Sequence, residues 1–144
     1  MDIRKITDQY YVAPQVDPAD MVDVAAAGIT TVICNRPDDE VPPAFQADAV
    51  ETAARAAGLD FVVLPLTHQT MTPENVAKQA QAAAASGGPV LAYCASGTRS
   101  TVIWCLAQAG TMPTDEILGT ARQGGYDLDA MRPTLDAIAQ AKRG

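Results

Sequence analysis

The sequence predicts an α/β fold: a mostly parallel central sheet of about four to five strands with helices on both faces. Two observations carry this expectation. Short apolar, β-branched runs alternate with helix-like segments along the 144 residues, with no repeat, low-complexity tract or linker between them. The helix-like segments open on cap-and-proline signals or close on glycine. Parallel strands need intervening crossover helices of this kind. Residues 1–144 read as a single domain, a length that suits one core of ordinary size.

In chain order, residues 10–13 read as a short strand. Asp17 and Pro18 open a helix as N-cap and first-turn proline, and it runs through Met21, Val22, Val24 and Ala25 to a closing Gly28. Residues 29–34 are apolar and β-branched, as a strand buried on both faces should be. Pro42 and Pro43 start a second helix, from about 44 to 57, closed by Gly58; residues 59–66 follow as a strand. Thr72, Pro73 and Glu74 begin a third helix that ends at Ser86-Gly87-Gly88. A strand over 90–93 precedes a helix that carries Trp104 and ends at Gly110. Thr114 caps a further helix with Ile117, Leu118 and Ala121 on its apolar side. A last helix follows Asp129 or Arg132, with Leu135, Ile138 and Ala139 on one face. Ligands of such sheets bind at the carboxyl ends of the strands. Cys94, the Cys34-Asn35-Arg36 segment and Leu66-Thr67-His68 all fall at such ends.

Composition narrows the partners. Hydrophobic residues make up 48% and charged residues 19%, which is globular rather than disordered. A net charge of −7 argues against nucleic acid or an anionic membrane as a general partner. The N-terminus lacks the apolar core of a signal peptide, and no run reaches the ~18 apolar residues of a membrane span. Three cysteines without framework spacing point to reduced thiols in a cytoplasm. A single histidine, His68, gives no paired-ligand pattern, so neither a metal nor an organic cofactor is expected.

The chemistry concentrates at Tyr93-Cys94-Ala95-Ser96-Gly97-Thr98-Arg99-Ser100. A strand ends on a cysteine, a short loop of small residues follows, and a helix begins. Backbone N–H groups at a helix N-terminus favour negative charge. A thiol placed there, beside a cation, becomes an accessible thiolate nucleophile. Arg99 adds a planar fork of donors for an anionic substrate or leaving group. Ala95, Ser96, Gly97 and Thr98 form the anion-binding loop, with Cys94, Arg99 and Ser100 as candidate catalytic residues. Ser100 either donates a hydrogen bond to the Cys94 sulfur or caps the helix. Arg99 could instead tie down a carboxylate such as Glu40. Arg36 and His68 are possible pocket residues; Cys34 and Cys105 read as core residues, Cys34 being the better candidate of the two for a resolving thiol.

Two enzyme groups carry loops that this one resembles. Tyrosine and dual-specificity phosphatases have His-Cys, five residues, then Arg; rhodanese-type sulfurtransferases have the shorter Cys-x-x-Gly-x-Arg-Ser. Four residues separate Cys94 from Arg99, and Tyr93 stands where the phosphatases have histidine, so the loop matches the rhodanese length. Further segments resemble the DUF442 family, the phosphatase-like domain of beta-lactamase-hydrolase-like proteins, whose members are also called sulfurtransferases. They are Tyr11-Val-Ala-Pro-Gln15, Cys34-Asn-Arg-Pro-Asp38 with Glu40, Leu64-Pro-Leu66, Thr72-Pro-Glu74, and Gly88 through Ser100 with Trp104. The resemblance covers roughly residues 1–110. It implies a tyrosine/dual-specificity-phosphatase-like fold with a rhodanese-length loop. It also implies a neighbouring sulfur-oxidising metallo-hydrolase, which for this chain would be a separate persulfide-oxidising enzyme. Residues after about Ala109 read as merely helical.

The expected activity is sulfur transfer: Cys94 takes a sulfane sulfur from a small-molecule donor as a persulfide and passes it to an acceptor. Phosphatase chemistry on a phosphoester, through a phosphocysteine, is the alternative. It needs an acid for the leaving oxygen, and residues 64–75 contain no aspartate, only His68 and Glu74. A non-catalytic anion- or persulfide-binding module is the third reading.

Overall fold

A computed structural model describes residues 1–143. It forms a five-stranded sheet in the order β1-β2-β5-β3-β4, with six α-helices around it. The strands are β1 (Arg4–Thr7), β2 (Tyr10–Ala13), β3 (Thr31–Cys34), β4 (Asp60–Val63) and β5 (Val90–Tyr93). Only β1 runs antiparallel, as a hairpin on β2; β2, β5, β3 and β4 are mutually parallel. β5 therefore lies at the centre, and all four of its residues are buried.

The helices are α1 (Met21–Ala26), α2 (Ala47–Ala56), α3 (Pro73–Ala85), α4 (Thr98–Gln108), α5 (Thr114–Gln123) and α6 (Arg132–Arg143). Strand alternation divides the core in two. Tyr10, Val12, Ile33, Val90 and Ala92 pack with Trp104, Ile117, Leu118 and Leu135 on one face. Ala13, Val32, Cys34, Leu91 and Tyr93 pack with Met21, Val24, Val50 and Ala54 of α1 and α2 on the other. Successive residues of a strand point to opposite faces, so one short apolar strand supplies both layers. Among the described residues, no helix is long and apolar enough to cross a membrane.

Four boundaries differ from the sequence reading. β1, a Lys- and Arg-bearing edge segment with one buried residue, Ile6, is too short and polar to show a clear period. The second helix starts at Ala47, because Pro43–Phe45 forms a separate single 3-10 turn and Gln46 is extended. The Ala47 N–H is instead capped from a distance by the Asp38 carboxylate, at 2.9 Å. The strand expected over 59–66 pairs regularly only at Asp60–Val63; Pro65 has no N–H to give, yet Leu64 and Leu66 still donate to Cys34 and Asn35 carbonyls at 2.9 and 2.8 Å. Thr114 is the first helical residue of α5 rather than its cap, and its hydroxyl binds the Asp136 carboxylate at 2.6 Å.

Candidate active site

The carboxyl end of β5 delivers Cys94 under the N-terminus of α4. Gly97 is the cap residue and has φ of 92°, a left-handed conformation that glycine adopts without a side-chain clash. That turn brings the Gly97 N–H to 3.1 Å from the Cys94 sulfur. The first turn of a helix leaves its N–H groups without intrahelical partners, which favours negative charge at this place; the Thr98 N–H donates to the Ser96 hydroxyl at 3.3 Å. The loop carbonyls face the other way. Ala95 O accepts from the Gln15 N–H at 3.3 Å, and Gly97 O from the Thr101 N–H and hydroxyl at 3.1 and 2.8 Å. Ser96 O accepts from the Tyr126 hydroxyl at 3.0 Å.

Arg99 is 9% exposed and lies over the same end of the sheet. Its Nη1 and Nη2 donate to the two Glu40 carboxylate oxygens at 2.8 and 2.7 Å, and Nη1 also to the Leu66 carbonyl at 2.8 Å. The carboxylate expected as an alternative partner for Arg99 is thus in place, and it holds one edge of the guanidinium. Arg36 adds a third contact, Nε to Glu40 Oε1 at 3.2 Å, and reaches the Gln15 amide oxygen at 3.3 Å. Arg99 above all, then Arg36, holds the Glu40 carboxyl below the ordinary glutamate range. Such a group is ionised near neutrality, accepts hydrogen bonds and has no proton to give.

A cavity of about 450 Å³ opens above the loop, lined by Glu40, Thr67, His68, Gln69, Ala95, Ser96, Thr98 and Arg99. His68 is exposed on its rim, and the cavity wall includes no aspartate. Arg36 lies behind Glu40 rather than on the wall. Cys94 sits beneath the loop and is 1% exposed.

Ser100 departs from both of its expected roles. Gly97 takes the cap position, and the Ser100 hydroxyl donates to Asn35 Oδ1 at 2.8 Å rather than to the Cys94 sulfur. Two residues into the first helical turn, its side chain points back into the protein. It joins a buried polar cluster that sequence reasoning missed. Asn35 and Gln79 exchange hydrogen bonds at 2.9 and 3.0 Å, Gln79 also donates to the Tyr10 hydroxyl at 3.1 Å, and that hydroxyl donates to the Ser100 carbonyl at 2.7 Å. This cluster ties β2, β3, α3 and α4 together directly under the loop.

Cys34 is buried on the α1/α2 side of the sheet, its thiol directed to the Arg36 carbonyl at 3.4 Å. Burial pushes the Cys34 thiol up, and the Cys105 thiol up to about 12. Both thiols are packed in the core, as expected of them, Cys105 on one face of the sheet and Cys34 on the other. No cluster of three metal-ligating side chains occurs among the described residues.

The chain matches known proteins in sequence and in fold. The family described as beta-lactamase hydrolase-like protein, phosphatase-like domain, matches residues 2–111. The chain belongs to this family. A beta-lactamase hydrolase-like protein of Agrobacterium fabrum is 31% identical over 143 residues, 98% of this chain and 33% of that protein. One from Xylella fastidiosa is also 31% identical, over 89% of this chain and 30% of its own length. The chain therefore spans about a third of the length of these curated relatives. Among solved structures, a Neisseria meningitidis protein provisionally assigned as a phosphatase superposes with a TM-score of 0.86. It is 34% identical and covers 96% of this chain and 99% of its own. PTPMT1, at 18% identity and a TM-score of 0.69 over 99% of both chains, extends the likeness of this phosphatase-like domain to the tyrosine-phosphatase-like fold.

Proposed function

We propose that this phosphatase-like domain is a cysteine-dependent hydrolase of small phosphomonoesters. The observation that carries the reading is the Gly97 N–H on the Cys94 sulfur at a helix N-terminus, with Arg99 fixed beside it. Such a collar of oriented donors stabilises both a thiolate and the charge of a phosphoryl group in transfer. The Cys94 thiolate attacks phosphorus, an S–P bond forms, and the ester P–O bond breaks. Water then cleaves the S–P bond, releasing orthophosphate and restoring the thiolate. The family match and the Neisseria structure support phosphatase-like chemistry over sulfur transfer, the first expectation, which rested on the loop length and on the lack of an aspartate in residues 64–75.

The leaving oxygen needs a proton unless it is already weakly basic. Glu40 is held as an anion by two arginines, and Asp38 is occupied in capping α2. His68, on the cavity rim, is the group that can serve. His68→Ala is expected to lower kcat on an alkyl phosphate about 10²–10⁴-fold and to leave an aryl phosphate nearly unchanged. Equal losses on both esters would remove His68 from proton transfer.

One observation favours a second reading. A loop of four residues between Cys94 and Arg99 encloses a smaller space than one of five, which suits a terminal persulfide sulfur. In that reading a sulfane sulfur donor loads Cys94, and a thiol or a separate persulfide-oxidising enzyme unloads it. The experiment compares wild type with Cys94→Ser on an aryl phosphate, thiosulfate and glutathione persulfide. The expected result is phosphate release by wild type and none by the variant. Sulfur loading without phosphate release would establish the second reading. Activity retained by Cys94→Ser on every substrate would remove Cys94 from the mechanism and contradict both, whereas a wild-type protein inactive on all three would leave the anion-binding module.

A further inference from the structure

Tyr126 lies beyond the segment that the family shares, in the turn after α5, yet it reaches the cysteine loop. Its ring is 7% exposed, and its backbone N–H is tied to the Ala121 carbonyl at 3.0 Å. The Arg4 guanidinium lies 5.3 Å from the ring centroid, closing the outer side. Its hydroxyl donates to the Ser96 carbonyl at 3.0 Å, the one donor to that carbonyl among the described residues. The same oxygen fills the space over Gly97, where a Cβ would stand only 2.0 Å away.

The consequence follows from the planarity of the peptide bond. The Ser96 carbonyl and the Gly97 N–H belong to one trans peptide unit and point in opposite directions. A donor that fixes the carbonyl outward therefore fixes the N–H inward, and that N–H is the one on the Cys94 sulfur at 3.1 Å. Rotating this unit would need only the φ and ψ freedom that a glycine retains. We propose that Tyr126 is a positioning residue that locks the Ser96–Gly97 peptide with its N–H on the Cys94 sulfur and on any oxyanion held there. Burial raises the Tyr126 phenol above its ordinary value, so the hydroxyl keeps its proton through neutral pH.

This inference rests on the Cys94 loop being the anion site, and its test does not require turnover. Tyr126→Phe keeps the ring and removes the donor. Two quantities are read: the pH midpoint of Cys94 alkylation by iodoacetamide, and the affinity for inorganic phosphate. The midpoint is expected to rise by about half a unit or more, and phosphate binding to weaken about fivefold. Arg4→Gln, which leaves the hydroxyl in place, should change neither. Gly97→Ala, whose Cβ displaces that hydroxyl, should lose phosphate binding as well. A Tyr126→Phe protein with the wild-type midpoint and phosphate affinity would overturn the proposal, whatever its melting temperature. So would a Gly97→Ala protein that binds phosphate normally. If the phosphatase reading alone were wrong, turnover would be absent in wild type while the alkylation midpoint still moved with Tyr126→Phe.

Discussion

Arg99→Lys is expected to lower kcat/KM for a phosphomonoester by about 10²–10³, the loss typical of one preorganised donor at a developing negative charge. The substitution keeps the charge and removes the geometry. In the wild-type protein Nη1 and Nη2 are fixed by Glu40, and Nη1 also by the Leu66 carbonyl, so the guanidinium plane has one orientation. A lysine ammonium is a single point donor on a flexible stem and cannot hold Glu40 bidentately while facing the loop. Glu40 would fall back toward Arg36, which already touches it at 3.2 Å. Steady-state kinetics and phosphate inhibition check this together, since both KM and inhibition should weaken. The pH dependence has a definite sign. Arg99 lowers the Glu40 carboxyl in the folded protein, so whatever stability the pair lends is present above the ordinary glutamate value. It is lost as pH falls through the lowered one. Activity lost on the alkaline side therefore does not come from this pair. An Arg99→Lys enzyme with wild-type kcat/KM would show that the fork does not act on the substrate.

Asn35→Leu is expected to destabilise the fold by about 2–6 kcal/mol, because it leaves two buried groups without partners at about 1–3 kcal/mol each. Asn35 and Gln79 are 0% and 2% exposed, and their two side-chain amides satisfy each other. Leucine is close in size but neither donates nor accepts. The Gln79 side chain and the Ser100 hydroxyl would both face an apolar group, and the Leu64 carbonyl would lose a donor at 2.9 Å. Because the cluster spans β2, β3, α3 and α4, the loss is spread over the base of the loop. A fall in melting temperature of roughly 10 °C is the expected order for a chain of this size. Thermal unfolding followed by circular dichroism measures it, and an unchanged midpoint would mean that the cluster is dispensable for stability.

How much of this was legible in the sequence depended on the length of each signal. The four parallel strands and six helices were readable because apolar β-branched runs and cap signals are strong and local. Thr72 is an example: it accepts from the Asn75 N–H at 3.2 Å, as its cap position predicts. The hairpin strand β1 was not readable, since an exposed edge carries no clear hydrophobic period. The cysteine loop was legible because its chemistry and its turn lie in one short segment. Its supports were not. Asn35, Gln79 and Tyr126 come from distant parts of the chain, and a lone buried amide or phenol gives no pattern of its own. Asn35 had one faint signal, a polar residue directly after a fully apolar strand. Gln79, inside an alanine-rich helix, had none. Ser100 shows the converse: its place beside Arg99 suggested a role at the sulfur, but helix geometry turns its hydroxyl inward to Asn35.

The most direct measurement is the mass of the intact protein quenched during turnover, with the modified residue located by peptide mapping. Given a phosphomonoester, the protein should carry one phosphoryl group on Cys94, and Cys94→Ser should carry none there. A protein that stays unmodified at Cys94 while releasing phosphate would contradict the account. So would one that gains only sulfur at that position when offered both kinds of donor.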